Sequence, residues 1–211
     1  MTTTTEFAKD EVIDSVEQLR ELYGQPMERA LTKELDHVNP LYQQFIENSP
    51  FAVIASVGPE GVDTSPRGDA PGFVRVVDPK TLMLPDRRGN NRADTLTNIV
   101  RNPHVSLLFM IPGVGETLRV IGTARLVVRQ ALCETFAVGE KLPRCIIVVD
   151  VHSAYYQCQK ALARSRLWDP ACHPAKGQVP SAGEMLSAID QAFDGPGFDA
   201  GYADYMNKTI Y

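Results

Sequence analysis

From Phe51 onward the chain repeats one pattern, a short apolar run closed by glycine, proline or asparagine, and this pattern restricts the fold more than any other feature. Phe51-Ala-Val-Ile-Ala-Ser-Val lies between Pro50 and Gly58-Pro59-Glu60-Gly61, which predicts a buried strand followed by a hairpin turn. Strands are then expected over Val62 to Pro66, Phe73 to Val77, Thr81 to Leu84, Val105 to Met110, Thr117 to Val128 and Cys145 to Val151. One helix interrupts them, Arg92 to Asn102, with Ala93, Leu96, Ile99 and Val100 on its apolar face and Pro103 beyond its end. Gly122, inside the longest strand, marks a bulge or sharp bend. Six or seven strands at this spacing predict a mainly β, antiparallel barrel or sandwich with flanking helices. No Gly-x-Gly-x-x-Gly joins a strand to a helix, so a Rossmann fold is not indicated.

The ends have a different period. Val12, Val16, Leu19, Leu22 and Tyr23 recur at helical spacing before Gly24 and Pro26, and a second helical stretch around Leu41 to Ile46 stops at Asn48-Ser49-Pro50. Near the other end, Tyr155 to Leu167 reads as a short helix or turn with Lys160 and Arg164 one turn apart. A loop over 171–183 and a helix over 183–193 follow, and residues 194–211 are expected to pack on a neighbour or fray. The implied organisation is a helical extension (1–47), a β domain (48–170) and a C-terminal loop and helix (171–211).

A chain of 211 residues can bury a core without disulfides or metal. Cys133, Cys145, Cys158 and Cys172 lack close pairing, so free thiols are expected and no metal site is assigned. The amino-terminal residues lack a basic flank and apolar run, and no apolar stretch is long enough to cross a bilayer, which predicts a cytoplasmic protein. A formal net charge of −5 argues against nucleic-acid and membrane partners. That charge is unevenly placed. Residues 1–63 carry 4 basic and 12 acidic side chains, whereas residues 64–129 carry 10 and 5. A basic middle third suits a small phosphorylated ligand, and it also suits a scatter of solvated arginines.

The stretch Leu84-Pro-Asp-Arg-Arg-Gly-Asn-Asn-Arg runs from a strand end through a loop to a helix start. A phosphate there would meet backbone amides, the positive end of a helix dipole and arginine forks. A helix capped by Asn91, with its arginines facing water, accounts for the same residues. Ser65-Pro-Arg-Gly-Asp places Arg67 at another strand end, with Gly68 permitting close backbone approach. In a meander, neighbouring strands would bring Arg67 beside the first stretch.

Six segments occur in order: 48–56 (NSPFAVIAS), 65–69 (SPRGD), 84–92 (LPDRRGNNR), 102–113 (NPHVSLLFMIPG), 116–122 (ETLRVIG) and 160–168 (KALARSRLW). Together they resemble a subgroup of the pyridoxamine 5′-phosphate oxidase-like, FMN-binding split-barrel family. The resemblance spans about residues 10–172. It implies a six-stranded antiparallel split β-barrel that forms a homodimer, with FMN held at the subunit interface.

Carried over by position, the resemblance implies a cofactor site of Arg67, Gly68, Leu84, Pro85, Asp86, Asn90, Asn91 and Arg92, with Arg67, Asn91 and Arg92 at the phosphate. Thr117, Leu118 and Arg119 would line the cofactor from the long strand, from the opposite protomer. Lys160, Arg164, Ser165 and Trp168 would form a wall near the ring, although Trp168 also suits a core or dimer anchor. Gln157-Cys158 stands where members often carry a His-Cys pair, so no catalytic residue is assigned. The vitamin-B6 enzymes carry a substrate-phosphate element with Arg and His in the tail, and residues 183–211 contain neither. The implied activity is therefore an FMN-dependent oxidoreductase with an unidentified small substrate, with NADH or NADPH as candidate electron donor. A non-catalytic flavin carrier or sensor, and an F420- or haem-related split barrel, are the alternatives.

Overall fold

The structure, a computed structural model, describes residues 6–211. The chain divides into two compact units, one ending at Glu34 and the other Leu35–Tyr211. In the first, α1 (Val16–Tyr23) is shorter than its apolar spacing suggested, because Ser15 caps it by accepting from the Gln18 amide; Gly24, at φ 70°, ends it. A single turn, α2 (Glu28–Thr32), follows.

The second unit opens with α3 (Pro40–Glu47), capped by Asn39, whose side chain accepts from the Tyr42 amide at 2.8 Å. Proline at the first helical position has no amide to leave unsatisfied. The strands are β1 (Phe51–Gly58), β2 (Gly61–Gly68), β3 (Arg75–Asp78) and β4 (Thr81–Pro85), then α4 (Asp94–Arg101), then β5 (His104–Met110) and β6 (Thr117–Val127). After α5 (Gln130–Glu134) come β7 (Ile146–Gln157), α6 (Lys160–Ser165), α7 (Ala182–Ile189) and α8 (Gly195–Thr209). Among the described residues no helix is long and apolar enough to cross a membrane.

All seven strands form one antiparallel sheet in the order β2-β1-β5-β6-β7-β4-β3. The ladder does not close: β2 and β3 are its edges. The sheet nevertheless rolls far enough that Arg87, just past β4, bonds Asp69, just past β2, at 2.6 Å. The expectation that Arg67 and the Leu84 stretch meet on neighbouring strands is thus corrected. Four strands separate β2 from β4, and curvature brings their ends together.

The core lies inside the roll. Ala52, Ile54 and Ser56 alternate inward on β1, facing Leu82 and Leu84 of β4, Leu107 and Phe109 of β5, and Leu118 and Val120 of β6. Each large side chain buried this way contributes about 1.5–3 kcal/mol. β7 is buried on both faces over residues 146–149: Ile147 and Val149 join the main core, while Ile146 and Val148 meet Cys133 and Phe136 beneath α5. That double burial explains the uninterrupted Ile-Ile-Val-Val run.

Three local differences follow from tertiary contacts. Residues Tyr155–Gln157, expected in a helix or turn, extend β7 because they pair with Thr117–Arg119 of β6, and the helix starts only at Lys160. β3 begins at Arg75 rather than Phe73, since Phe73 and Val74 are buried in the preceding turn. Residues 194–211 are mostly helical, held by Asp194, which caps α8 through the Gly197 amide, and by packing on α7.

Candidate functional site

A cavity of about 1120 Å³ opens where the ends of β2 and β4 approach each other without pairing. Its walls come from the end of β2 (residues 63–69), the end of β4 and the loop to α4 (85–93), the first turn of α4 (94–96), the segment before β7 (140–145) and the tail residues Ile210 and Tyr211. The volume is ample for a mononucleotide-sized ligand.

The α4 end of the cavity presents a helix start without a side-chain cap. The helix starts at Asp94, not Arg92, and its N-cap is Ala93, which provides no side-chain acceptor. Asn91 is therefore not the cap. It stands two residues earlier at φ 61°, and Ala93 is also left-handed at φ 56°. An alanine held there costs about 1 kcal/mol or more, a strain that tends to gather at functional sites. The first-turn amides, which have no intrahelical acceptor, are left uncapped by side chains at the cavity wall. α4 is fixed in place by Thr95, Asn98 and Ile99, all buried, and Asn98 donates to Ser56 of β1 at 3.1 Å. Gly58 makes room for it, since a Cβ there would come 2.6 Å from the Asn98 oxygen.

Opposite stands Arg67. Its Nη1 donates to Ser65 Oγ at 2.5 Å and to the Pro66 carbonyl at 2.9 Å, which folds the guanidinium back along β2. Its Nε is buried with no hydrogen-bond partner. A buried donor left unpaired costs about 1–3 kcal/mol, so an acceptor in the cavity would relieve it. Burial lowers the affinity of Arg67 for its proton, with Asp86 and Asp63 opposing that shift. Burial likewise pushes the Asp86 carboxyl up, against the pull of Arg67 and Arg144, and it pushes the Cys145 thiol up to about 11. The site is thus partly desolvated and holds a cation with an unspent donor.

Seven of the fifteen sequence-derived positions line this cavity: Arg67, Gly68, Pro85, Asp86, Asn90, Asn91 and Arg92. Arg92 is turned outward, its Nε bonded to Asp94 at 2.8 Å, and Asn90 accepts from the Arg92 amide at 3.1 Å. Leu84 is fully buried in the core, one residue behind the cavity wall. Thr117, Leu118 and Arg119 lie on β6 against β7, where Leu118 is fully buried and Arg119 donates to the Tyr155 hydroxyl at 2.8 Å. Lys160, Arg164 and Ser165 lie on α6, and the Trp168 indole donates to the Val114 carbonyl at 2.8 Å. These last seven are not among the walls of the cavity formed by one chain.

The sequence model of the family described as pyridoxamine 5′-phosphate oxidase matches residues 38–158, more than half of the chain. The chain belongs to that family. No curated protein matches at a significant level. Among solved structures, HupZ of Group A Streptococcus is similar over 57% of this chain and 94% of its own, at 20% identity and TM-score 0.47. General Stress Protein 26 of Bacillus anthracis covers 54% and 88%, at 17% identity and TM-score 0.42. An F420 reductase covers 57% and 98%, at 17% identity and TM-score 0.40.

Several charged or hydroxyl-bearing residues of the cavity are absent from the sequence-derived set, among them Asp69, Arg87, Arg144 and Tyr211. Asp69 accepts from Arg87 Nε at 2.6 Å and from the Tyr211 hydroxyl at 2.7 Å, and Arg144 donates to Asn91 at 3.4 Å. Arg87 also donates to the Phe136 carbonyl at 2.7 Å, which ties the segment after α5 to the site. Asp69 and Arg87 stood inside segments already singled out, and their partnership was hidden by a separation of 18 positions along the chain. Nothing in the sequence marks Tyr211.

Proposed function

We propose that this protein is an FMN-dependent oxidoreductase acting on a small-molecule substrate, with the flavin phosphate seated between Arg67 and the start of α4. The unpartnered Arg67 Nε, buried across the cavity from an uncapped helix N-terminus, carries this reading. A phosphate supplies acceptors for both, and Gly68 leaves the backbone beside Arg67 open to close approach. Membership of the family supports a flavin as the bearer of that phosphate. Bound FMN would supply the hydride and electron chemistry, while the protein binds it, orients it and sets the charge around it.

We further propose that the working unit is a homodimer folded as a split barrel, with FMN at the subunit interface. Thr117, Leu118, Arg119, Lys160, Arg164, Ser165 and Trp168, which do not line the single-chain cavity, would then act from the second copy. NADH or NADPH is proposed as reductant.

The purified protein should be yellow and keep its flavin through desalting, and a colourless protein that takes up no added FMN would sink the reading. Arg67→Ala should weaken FMN binding by about 1.5–3 kcal/mol, the worth of a charge-assisted hydrogen bond, while leaving riboflavin, which lacks the phosphate, little changed. Arg92→Ala should cost less, because Arg92 is already paired with Asp94. Equal losses for FMN and riboflavin in Arg67→Ala would place the phosphate elsewhere. Anaerobic bleaching of the bound flavin by NADH or NADPH tests for an enzyme, and failure with both favours a flavin carrier.

A further inference from the structure

We infer that residues 210–211, which follow α8, are a strap across the cavity and that the Tyr211–Asp69 contact gates passage of the flavin. The inference rests on the FMN reading above. Ile210 and Tyr211 form part of the cavity wall, although they follow α8, far along the chain from the strands that make the other walls. Ile210 is more than half exposed and Tyr211 is half-buried, so the pair sits at the boundary between cavity and solvent.

The anchor is specific. The Asp69 side chain is only 3% exposed, and both of its oxygens are used. Oδ2 accepts from Arg87, while Oδ1 accepts from the Tyr211 hydroxyl at 2.7 Å and from the Ala70 amide at 2.7 Å. The Arg87 guanidinium also lies 5.8 Å from the centre of the Tyr211 ring, within cation–π range. Asp69 is two residues from Arg67, the proposed phosphate arm, so one strand end carries both the ligand contact and the anchor of the strap. A buried, ion-paired carboxylate serves as a latch because Tyr211 gives it a neutral donor: undocking leaves the Asp69–Arg87 pair intact and exposes no unpaired charge.

The strap is joined to something able to move with it. α7 and α8 pack on each other through a close glycine contact; a Cβ on Gly195 would lie 2.6 Å from the Gly183 carbonyl oxygen. Asp199 of α8 accepts from the Gly183 amide at 2.9 Å, and Ser181 adds a second bond to the same carboxylate. The hairpin holds together by its own contacts, so Tyr211 can leave Asp69 without unfolding it. A gate of this kind slows ligand movement in both directions, because only the undocked fraction is competent for exchange.

Tyr211→Phe keeps the ring and removes the donor. With the full-length protein, FMN uptake followed by fluorescence quenching and FMN release followed on dilution should both quicken, each by about tenfold, with Kd changed by less than either rate. Arg67→Ala, in contrast, should act mainly on release. Unchanged rates in Tyr211→Phe overturn the gate, and so does faster release with unchanged uptake, which would make Tyr211 only a wall contact. Hydrogen exchange over residues 198–211 gives a readout that needs no flavin: exchange should be faster in both Tyr211→Phe and Asp69→Ala, which remove the donor and the acceptor of the contact, than in the natural protein. Equal exchange overturns the strap even if FMN binds. Failure of the natural protein to take up FMN, with exchange slowed by Asp69 as expected, overturns the gate through the cofactor reading and not through the docking.

Discussion

At the scale of single residues, the site turns on one side chain whose partners are incomplete. Arg67 has one nitrogen engaged along its own strand and its buried Nε open, while Asp86 stands near enough to oppose the loss of its proton. An ionised Asp86 attracts Arg67 and repels an incoming phosphate, so it works against the proposed ligand. Asp86→Asn should therefore tighten FMN binding several-fold at neutral pH, and the gain should shrink at low pH, where Asp86 is protonated in the natural protein. A fluorescence titration across pH checks this, and weaker binding in the variant would mean that Asp86 contacts the cofactor favourably. That Arg67 and Asp86 belong to one candidate site was legible in the sequence, since both fall within the stretches singled out there and both line the cavity. The role of Arg92 was less legible, because its pairing with Asp94 depends on where the helix begins.

At the scale of elements, hydrophobic period and turn residues located the strands well, and tertiary contacts moved their ends. β7 runs on to Gln157 because β6 offers it a partner there, which no local signal near Tyr155 records. The start of α4 moved the other way. Asn91 was a suitable cap by residue type, but the chain makes left-handed turns at Asn91 and Ala93 and leaves the helix uncapped toward the cavity. The bulge expected at Gly122 is present, as a register shift between Ile121 and Gly122 against β7. A Cβ at Gly122 would lie 2.1 Å from the Asp150 carbonyl oxygen, so the two backbones approach as closely as only glycine allows. Gly122→Ala should destabilise the protein by about 3 kcal/mol or more, seen as a lower urea midpoint with little change in slope. A midpoint equal to that of the natural protein would mean that β6 can shift at no cost.

At the scale of the whole molecule, Asp69 joins three parts of the second unit: the end of β2, the loop after β4 and the tail. Burial alone would raise its pKa, but the Tyr211 hydroxyl, the Ala70 amide and Arg87 outweigh it and hold the carboxyl below the usual range. A carboxyl lowered by folding adds stability that is complete above its unfolded pKa, ordinarily about 3.9, and lost as pH falls from there through the folded value. The natural protein should thus lose more stability than Asp69→Asn over that acid range, measured by denaturant titration at stepped pH. Parallel losses would show that Asp69 is not held by the tail and Arg87. By itself the sequence determined the mainly β antiparallel class, most strand positions, the bulge and the arginine-rich stretches, because each is written in local spacing and residue type. Only the tertiary structure decided that the sheet rolls until β2 and β4 face each other unpaired, that Asp69, Arg87 and Tyr211 converge there, and that the β6 and α6 residues lie outside the single-chain cavity. Those outcomes depend on curvature accumulated over seven strands and on contacts between residues as far apart as 69 and 211, which no short window of sequence contains.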